Sequence, residues 1–377
     1  MKNPFVTKGY AGPEYFCDRV KETEDLLKML TNENNMALIS PRRLGKTDLI
    51  KHCFAQQEIK DTYYTFILDI YATNSLTDFV EVFGRAIFEE LKPLGRKVWE
   101  RFFNSIKSVQ QQISFDINGN PVWGIGLGNY INPATTLEEI FKYLCTADKP
   151  CLVAIDEFQK ITEYPNGQNV EAALRTHIQQ CPNATFLFCG SKQHLMTEIF
   201  LSPSRPFYQS VVTMGLDVIS EDKYSAFAIN LFETYGKSLD ADVVQQVYQR
   251  FNGVTAYLQR VMNVLFMNTP KGEHCTADMI DDAIEFIINL NAEHYEMLFS
   301  QMSEKQRITF IAIAQEGRAR NISSGQFVRK HRLVSSSSAV SAVRGLMEKD
   351  FITCEHNEYY VYDYFFPIWM KKKGYIV

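Results

Sequence analysis

Ser40-Pro41-Arg42-Arg43-Leu44-Gly45-Lys46-Thr47 constrains the fold more than any other stretch of this chain. It matches the phosphate-loop pattern G-x-x-x-x-G-K-[ST] at every fixed position but one, where Ser40 stands in place of glycine. Met36 to Ile39 ahead of it is a short apolar run that predicts a buried strand, and Thr47 to Phe54 behind it sets Leu49, Ile50, Cys53 and Phe54 at helical spacing. Strand, loop and helix are the setting such a motif needs. Successive backbone N–H groups and a helix N-terminus attract an anion, Lys46 can reach the outer phosphates, and the Thr47 hydroxyl can ligate Mg²⁺. The phosphate-facing set runs from Ser40 through Asp48.

A second stretch completes the chemistry. Cys151-Leu152-Val153-Ala154-Ile155-Asp156-Glu157 is a continuous apolar strand that ends in two carboxylates. Buried parallel strands exclude charge along their length, so acids collect at the carboxyl edge, where open α/β sheets place ligands. Asp156 is the candidate for the Mg²⁺ shell and Glu157 for orienting and activating an attacking water. Ala184 to Cys189 is the next strand, closing on Gly190-Ser191-Lys192. Ser191 is positioned to sense a γ-phosphate, or to cap a helix over Lys192 to Phe200. Arg205, in the turn-rich Ser202 to Gln209, is either a finger that stabilises transition-state charge or an ordinary surface guanidinium.

Between these stretches, Tyr64 to Ile70 reads as a strand and Leu76 to Leu91 as a helix, with a further apolar stripe at Leu137, Ile140, Phe141 and Leu144. The strand and helix alternation predicts an α/β parallel sheet. Residues Gly95 to Pro133 break the rhythm. There Ile113 to Ile117 and Val122 to Ile125 flank Asn118-Gly119-Asn120-Pro121, which predicts a helix followed by a β-hairpin inserted in the core. Upstream, Phe5 to Arg19 is rich in Tyr, Phe, Pro and Gly, and leads into an amphipathic helix with Leu26, Leu27 and Leu30 on one face. Its aromatics are placed either to cover a base or to pin the N-terminus to the core.

The chain of 377 residues is long enough for two or three domains, and 46% hydrophobic with 22% charged residues is ordinary globular composition. No apolar run is long enough to span a bilayer and the first residues lack a signal-peptide core, so a cytoplasmic, non-membrane protein is expected. The eight cysteines are scattered without a C-x-x-C pair and read as reduced core thiols. Net charge is −5 overall, but residues 303 to 377 hold twelve Lys or Arg against seven Asp or Glu, a net +5 that leaves −10 upstream. That asymmetry points either to a separate partner for the tail or to solvated surface.

Beyond Ser220 the strands vanish in favour of helices at Tyr224 to Glu233, Ala241 to Phe251, Ala256 to Phe266 and Ala277 to Leu290, which reads as a helical lid. Arg260 stands there either as a second arginine sensor or as a solvated helix-face residue. The tail predicts three helices, Ser303 to Gln315, Ser324 to Lys330 and Ser336 to Lys349, and a hairpin bracketing His356-Asn357-Glu358. This is a winged-helix plan, whose third helix can enter a DNA major groove or serve in packing. Arg318, Arg320, Arg329, Lys330, Arg332 and Lys371 to Lys373 are the candidates for phosphate contacts.

Together, Tyr15-Phe16-Cys17-Asp18-Arg19, the loop, Ile155-Asp156-Glu157-Phe158-Gln159, Gly190-Ser191, Arg205-Pro206-Phe207-Tyr208 and Tyr362 to Trp369 resemble the archaeal-type ATPase family, a relative of the STAND signalling ATPases within the AAA+ superfamily. The resemblance covers nearly the whole chain. It implies an ASCE-type P-loop NTPase core over residues 1–219, with an insert at about 95–133, a helical lid over 220–302 and a winged helix over 303–377, binding ATP and Mg²⁺. Two departures stand out. Ser40 replaces the loop's opening glycine, and Thr255 stands where similar proteins often carry proline. The expected activity is an ATP-hydrolysing switch, whose partner is DNA, a second copy or another protein. The alternative is a DNA-binding regulator in which ATP is a structural or signalling ligand.

Overall fold

The computed structural model describes residues 2–108 and 132–376, together with the backbone of 113–115 and 121–123. The chain divides into two compact units, Val6–Tyr224 with Gly253–Ala256, and Met1–Phe5 with Ser225–Asn252 and Tyr257–Val377.

The first unit runs α1 (Val20–Thr31), β1 (Met36–Ile39), α2 (Lys46–Phe54), α3 (Gln57–Thr62), β2 (Tyr64–Asp69), α4 (Leu76–Leu91), α5 (Arg96–Ser105), β3 (Ile113–Phe115), β4 (Pro121–Trp123), α6 (Pro133–Thr146), β5 (Cys151–Asp156), α7 (Gly167–Gln179), β6 (Ala184–Gly190), α8 (Gln193–Leu201) and β7 (Val212–Met214). Five strands form one sheet in the order β2-β5-β6-β1-β7, with every pair parallel. All five carboxyl ends therefore meet at one edge. Strand β6 separates the strand that feeds the loop from the strand that carries the two acids.

Side-chain alternation explains why the sheet is covered on both faces. In β5, Val153 and Ile155 enter one apolar cluster with Phe66, Phe79, Phe158 and Phe188. Leu152 and Ala154 enter the other, with Leu26, Leu38, Leu49 and Leu187. Each fully buried Leu or Phe contributes about 1.5–3 kcal/mol, which is why these strands read as unbroken apolar runs. Local caps fix the helix starts: Ser75 accepts from the Asp78 N–H at α4, and Asn132 accepts from the Ala134 N–H at α6, where Pro133 follows.

Several expectations need adjusting. Strand β7 was not foreseen, because three residues with two exposed side chains carry no apolar period. The insert contains the expected helix, and β3 pairs antiparallel with β4 in the register Ile113↔Trp123; the Asn118-Gly119 turn lies outside the described residues. Helix α5 is anchored, with Phe102 and Phe103 buried against Tyr143 and Phe88. The reading of all eight cysteines as reduced is corrected: Cys145 at the end of α6 and Cys181 after α7 form a disulfide, with Cα atoms 5.0 Å apart. Sequence spacing gave no sign of it, since the two cysteines, 36 residues apart, meet only through the contact of α6 with α7.

The remaining elements are α9 (Glu221–Thr234), β8 (Ser238–Leu239), α10 (Ala241–Arg250), α11 (Thr255–Asn268), β9 (His274–Cys275), α12 (Met279–Leu290), α13 (Ala292–Ser300), α14 (Glu304–Glu316), α15 (Gly325–Lys330), α16 (Ser336–Glu348), β10 (Ile352–Glu355), β11 (Glu358–Val361) and α17 (Phe365–Lys372). Strands do not vanish after Ser220 as expected, because β8 and β9 pair in parallel over two residues each. In the C-terminal part, Ser303 and Gln306 form a capping box on α14 and Ser335 caps α16 through the Ser338 N–H. The serine run is thus a helix start. Strands β10 and β11 form the wing, turning at His356 and Asn357 with φ of 48° and 65°. Ala319 adds an antiparallel bridge to Tyr359. Helix α17 packs Phe366 and Trp369 against Tyr295 and Phe299 of α13.

Candidate active site

The loop between β1 and α2 turns on Gly45, which caps α2 in the left-handed region at φ 90°, a conformation glycine adopts without steric cost. Arg43 also sits at φ 71°. Two left-handed residues in three reverse the chain tightly at the N-terminus of α2. The Lys46 ammonium, 7% exposed, donates to the Ser40 carbonyl at 2.8 Å and the Pro41 carbonyl at 2.7 Å. Desolvation lowers its pKa, against the opposing pull of nearby acids including Glu157 and Asp156. A cation held on its own loop's carbonyls in a half-dry site is ready to accept an anion. Ser40 is buried, and its hydroxyl makes no hydrogen bond among the described residues. Replacing the expected glycine has therefore placed an uncompensated polar atom inside the loop.

At the ends of β5 and β2 the acids gather. Thr47 donates its hydroxyl to Asp156 Oδ2 at 2.5 Å, and the other Asp156 oxygen accepts from the Glu157 N–H at 2.9 Å. The β2–β5 register places Asp69 directly beside Asp156. Partial desolvation raises the Asp69 pKa, and the Asp156 and Glu157 charges add to it, against the hydrogen bond from the Tyr71 N–H. Asp69 was missed in sequence, although it closes an apolar strand just as Asp156 does. Buried Cys189 on β6 has its thiol pushed well up, by burial first and then by Asp156. Hydroxyl and carboxylate oxygens are the hard donors Mg²⁺ takes, and Mg²⁺ completes its shell with water and phosphate instead of a full protein cage. Thr47 and Asp156 fit that ion.

Glu157 adopts φ 55°, so the chain turns sharply just after β5. Its Oε2 accepts from Ser191 Oγ at 2.7 Å and from the Gln159 amide. Ser191 in turn accepts from Arg42 Nε at 2.8 Å. Ser191 is not the cap of α8; Lys192 holds that position, without a side-chain cap. Gln159 is the second residue that sequence reasoning passed over. It is pressed so closely on Gly190 that a Cβ there would lie 2.3 Å from its Oε1, which is why glycine ends β6.

The structure thus forms two hydrogen-bonded sets, Lys46 with the Ser40 and Pro41 carbonyls, and Thr47, Asp156, Glu157, Ser191 and Arg42 in one chain, with the Glu157 and Asp156 charges near enough to Lys46 to act on it. Asp48, at N3 of α2, has its carboxyl pKa raised by desolvation. Leu44 is buried, and its carbonyl accepts weakly from Arg19, which also holds the Asp217 carbonyl at 2.6 Å. The Arg43 carbonyl accepts from the Ala256 N–H. Arg205 is engaged elsewhere: it pairs with fully buried Glu171 and, at 3.3 Å, with Glu198. Arg260 lies over the Phe365 ring at 5.5 Å. In the N-terminal segment, Phe16 stacks on His52 of α2 at 4.2 Å and Tyr10 hydrogen-bonds the same ring, contacts that fasten the segment to the loop-bearing helix.

The chain is similar to known proteins over most of its length. Residues 16–261 match the ATPase domain family found predominantly in Archaea, and residues 293–372 match a probable winged helix domain. The chain belongs to that ATPase family. An uncharacterised ATP-binding protein of Methanocaldococcus jannaschii is 29% identical over 157 residues, which span 39% of this chain and 43% of the relative. The match therefore covers less than half of that relative's length. Among solved structures, the Walker-type ATPase of Pyrococcus abyssi superposes with a TM-score of 0.66 at 16% identity, covering 98% of this chain and 99% of the other. The Orc2 protein of Aeropyrum pernix in ADPNP–ADP complexes gives 0.59 at 13%, covering 99% and 98%. The Orc1 protein of the same organism, in complex with DNA, gives 0.53 at 10%, covering 96% and 94%. At these identities the likeness concerns the fold. No helix among the described residues is long and apolar enough to cross a membrane.

Proposed function

We propose that this member of the archaeal ATPase family binds ATP with Mg²⁺ and hydrolyses it, and that its nucleotide state acts as a STAND-type switch read out by the winged helix. The observation that carries the reading is the Thr47–Asp156 hydrogen bond with Glu157 held one residue on, which joins a phosphate cradle to a candidate base. In the reaction, a water oxygen bonds to the γ-phosphorus as the bond from phosphorus to the bridging β–γ oxygen breaks. Glu157 orients that water and takes its proton; ADP and phosphate leave. Lys46 and the loop N–H groups offset the charge on the transferring group, and Ser191 stands beside the base. Bound Mg²⁺, which Thr47 and Asp156 would hold, supplies further charge neutralisation. Such a switch acts on a partner, either a second copy or another protein.

Glu157→Gln tests this reading. Binding of a fluorescent ATP analogue is expected to persist while phosphate release falls about 10²- to 10⁴-fold, the usual worth of a positioned base. Unchanged turnover would overturn the assignment.

A second reading is a DNA-binding regulator with little turnover. The exposed face of α16 favours it, because Ser336, Ser337, Val340, Ser341 and Arg344 are all open to solvent on the helix that enters DNA in winged-helix readers. The +5 tail adds to this. Duplex affinity of the full chain that does not fall with added salt would count against it.

A further inference from the structure

Arg42 belongs to the phosphate loop, yet its Nε hydrogen does not point at a loop carbonyl. It reaches Ser191, 149 residues away, at 2.8 Å. A serine hydroxyl has one proton. Because Ser191 spends it on Glu157 Oε2 at 2.7 Å, its lone pair is what receives Arg42. The chain of donors therefore has a single direction, from Arg42 to Ser191 to Glu157, and each link polarises the next. Gln159 donates to the same carboxylate oxygen, so both hydrogen bonds act on one side of the Glu157 carboxylate and leave Oε1 as the oxygen able to meet a water. Glu157 itself turns the chain just after β5, in the left-handed region at φ 55°. Gln159 is itself buried, with its Oε1 close against Gly190.

We propose that Arg42 is a positioning residue for Glu157, acting through Ser191. The loop that cradles phosphate thereby also sets the orientation of the candidate base on the neighbouring strand. A phosphate engaging Arg42 draws on the same guanidinium, so occupancy of the cradle and alignment of the base are coupled through one hydroxyl. This inference rests on the ATPase reading and adds to it a residue and a route.

The experiment is a double-mutant cycle on the full chain with Arg42→Ala, Ser191→Ala and the pair, reading kcat and KM for ATP in the presence of Mg²⁺. Arg42→Gln and Ser191→Thr serve as conservative variants, and retained binding of a fluorescent ATP analogue shows that each protein is folded. Each alanine variant is expected to lower kcat about tenfold, the order of one charge-assisted hydrogen bond, with KM changed less. The double variant is expected to be no slower than Ser191→Ala alone, because the arginine has no route to Glu157 without the serine. Ser191→Thr is expected to restore most of the rate, and Arg42→Gln part of it. Two results would overturn the proposal: an Arg42→Ala effect confined to KM, or losses that multiply in the double variant, since either makes Arg42 a phosphate ligand alone. No turnover by the unmutated chain overturns the ATPase reading and this inference with it. Turnover with multiplying losses overturns the inference only.

Discussion

Thr47 donates its hydroxyl to Asp156 at 2.5 Å, across 109 residues of chain. The two ends of the proposed phosphate site, one on the helix after β1 and the other at the edge of β5, are thereby in direct contact. Because the hydroxyl and carboxylate are also the donors that suit Mg²⁺, each is expected to matter to nucleotide affinity only when the ion is present. Thr47→Ala and Asp156→Asn should reduce the gain in ATP affinity on adding Mg²⁺ by about 10- to 100-fold, the range for one hydrogen bond to a charged group. Titration of a fluorescent ATP analogue with Mg²⁺ and with a chelator measures the difference, and equal loss under both conditions would show that the pair is structural.

Arg205 pairs with Glu171, whose side chain is completely buried. Removing the arginine strands a carboxylate in the core, so Arg205→Ala should cost about 3–5 kcal/mol, and replacing Glu171 as well should recover much of it. Desolvation raises the Glu171 pKa, and the charge and hydrogen bond of Arg205 oppose the rise. A raised carboxyl pKa in the folded state means that protonation favours folding, a contribution gained as pH falls through the folded value. The deficit of Arg205→Ala should accordingly shrink between pH 7 and pH 5, as read by urea denaturation. If Arg205 were instead a finger, the variant would keep its denaturation midpoint and lose phosphate release.

Cys145 and Cys181 close a loop with a sequence separation of 36. In the chain-entropy treatment such a loop stabilises by about 4 kcal/mol. Thiol alkylation of the denatured, unreduced protein should label six cysteines and label all eight after reduction. Reduction should also lower the denaturant midpoint, and labelling of eight thiols without reductant would remove the cross-link from the account.

Glu358 on the wing holds two arginines, Arg318 at 3.0 Å and Arg320 at 2.5 Å. These exposed pairs neutralise cations that a nucleic-acid phosphate would otherwise recruit. Glu358→Gln should strengthen duplex binding by the full chain, by about tenfold at low salt, and steepen its salt dependence. Arg344→Ala, on the open face of α16, should weaken binding and reduce the salt slope by about one. Fluorescence anisotropy over a salt series distinguishes these outcomes from a winged helix that serves only in packing.

The sequence by itself determined the loop, the acidic strand, the parallel alternation and the winged-helix order. Each rests on local physics: a left-handed glycine before a helix, an apolar run that excludes charge until its last residues, and hydroxyls that cap helix starts. Strand β7, the two-residue pairing of β8 with β9, and the cross-link from Cys145 to Cys181 were hidden because their stability comes from neighbours remote in sequence. The same holds for the partners of the chemical groups. Arg205 could be read only as a finger or a surface residue until the fold set it against Glu171, and Ser191 only as a sensor or a cap until β6 came to lie beside β5. Residue types specify which chemistry is available. Tertiary structure decided which donor meets which acceptor, because a hydrogen bond depends on a few tenths of an ångström that no spacing along the chain encodes.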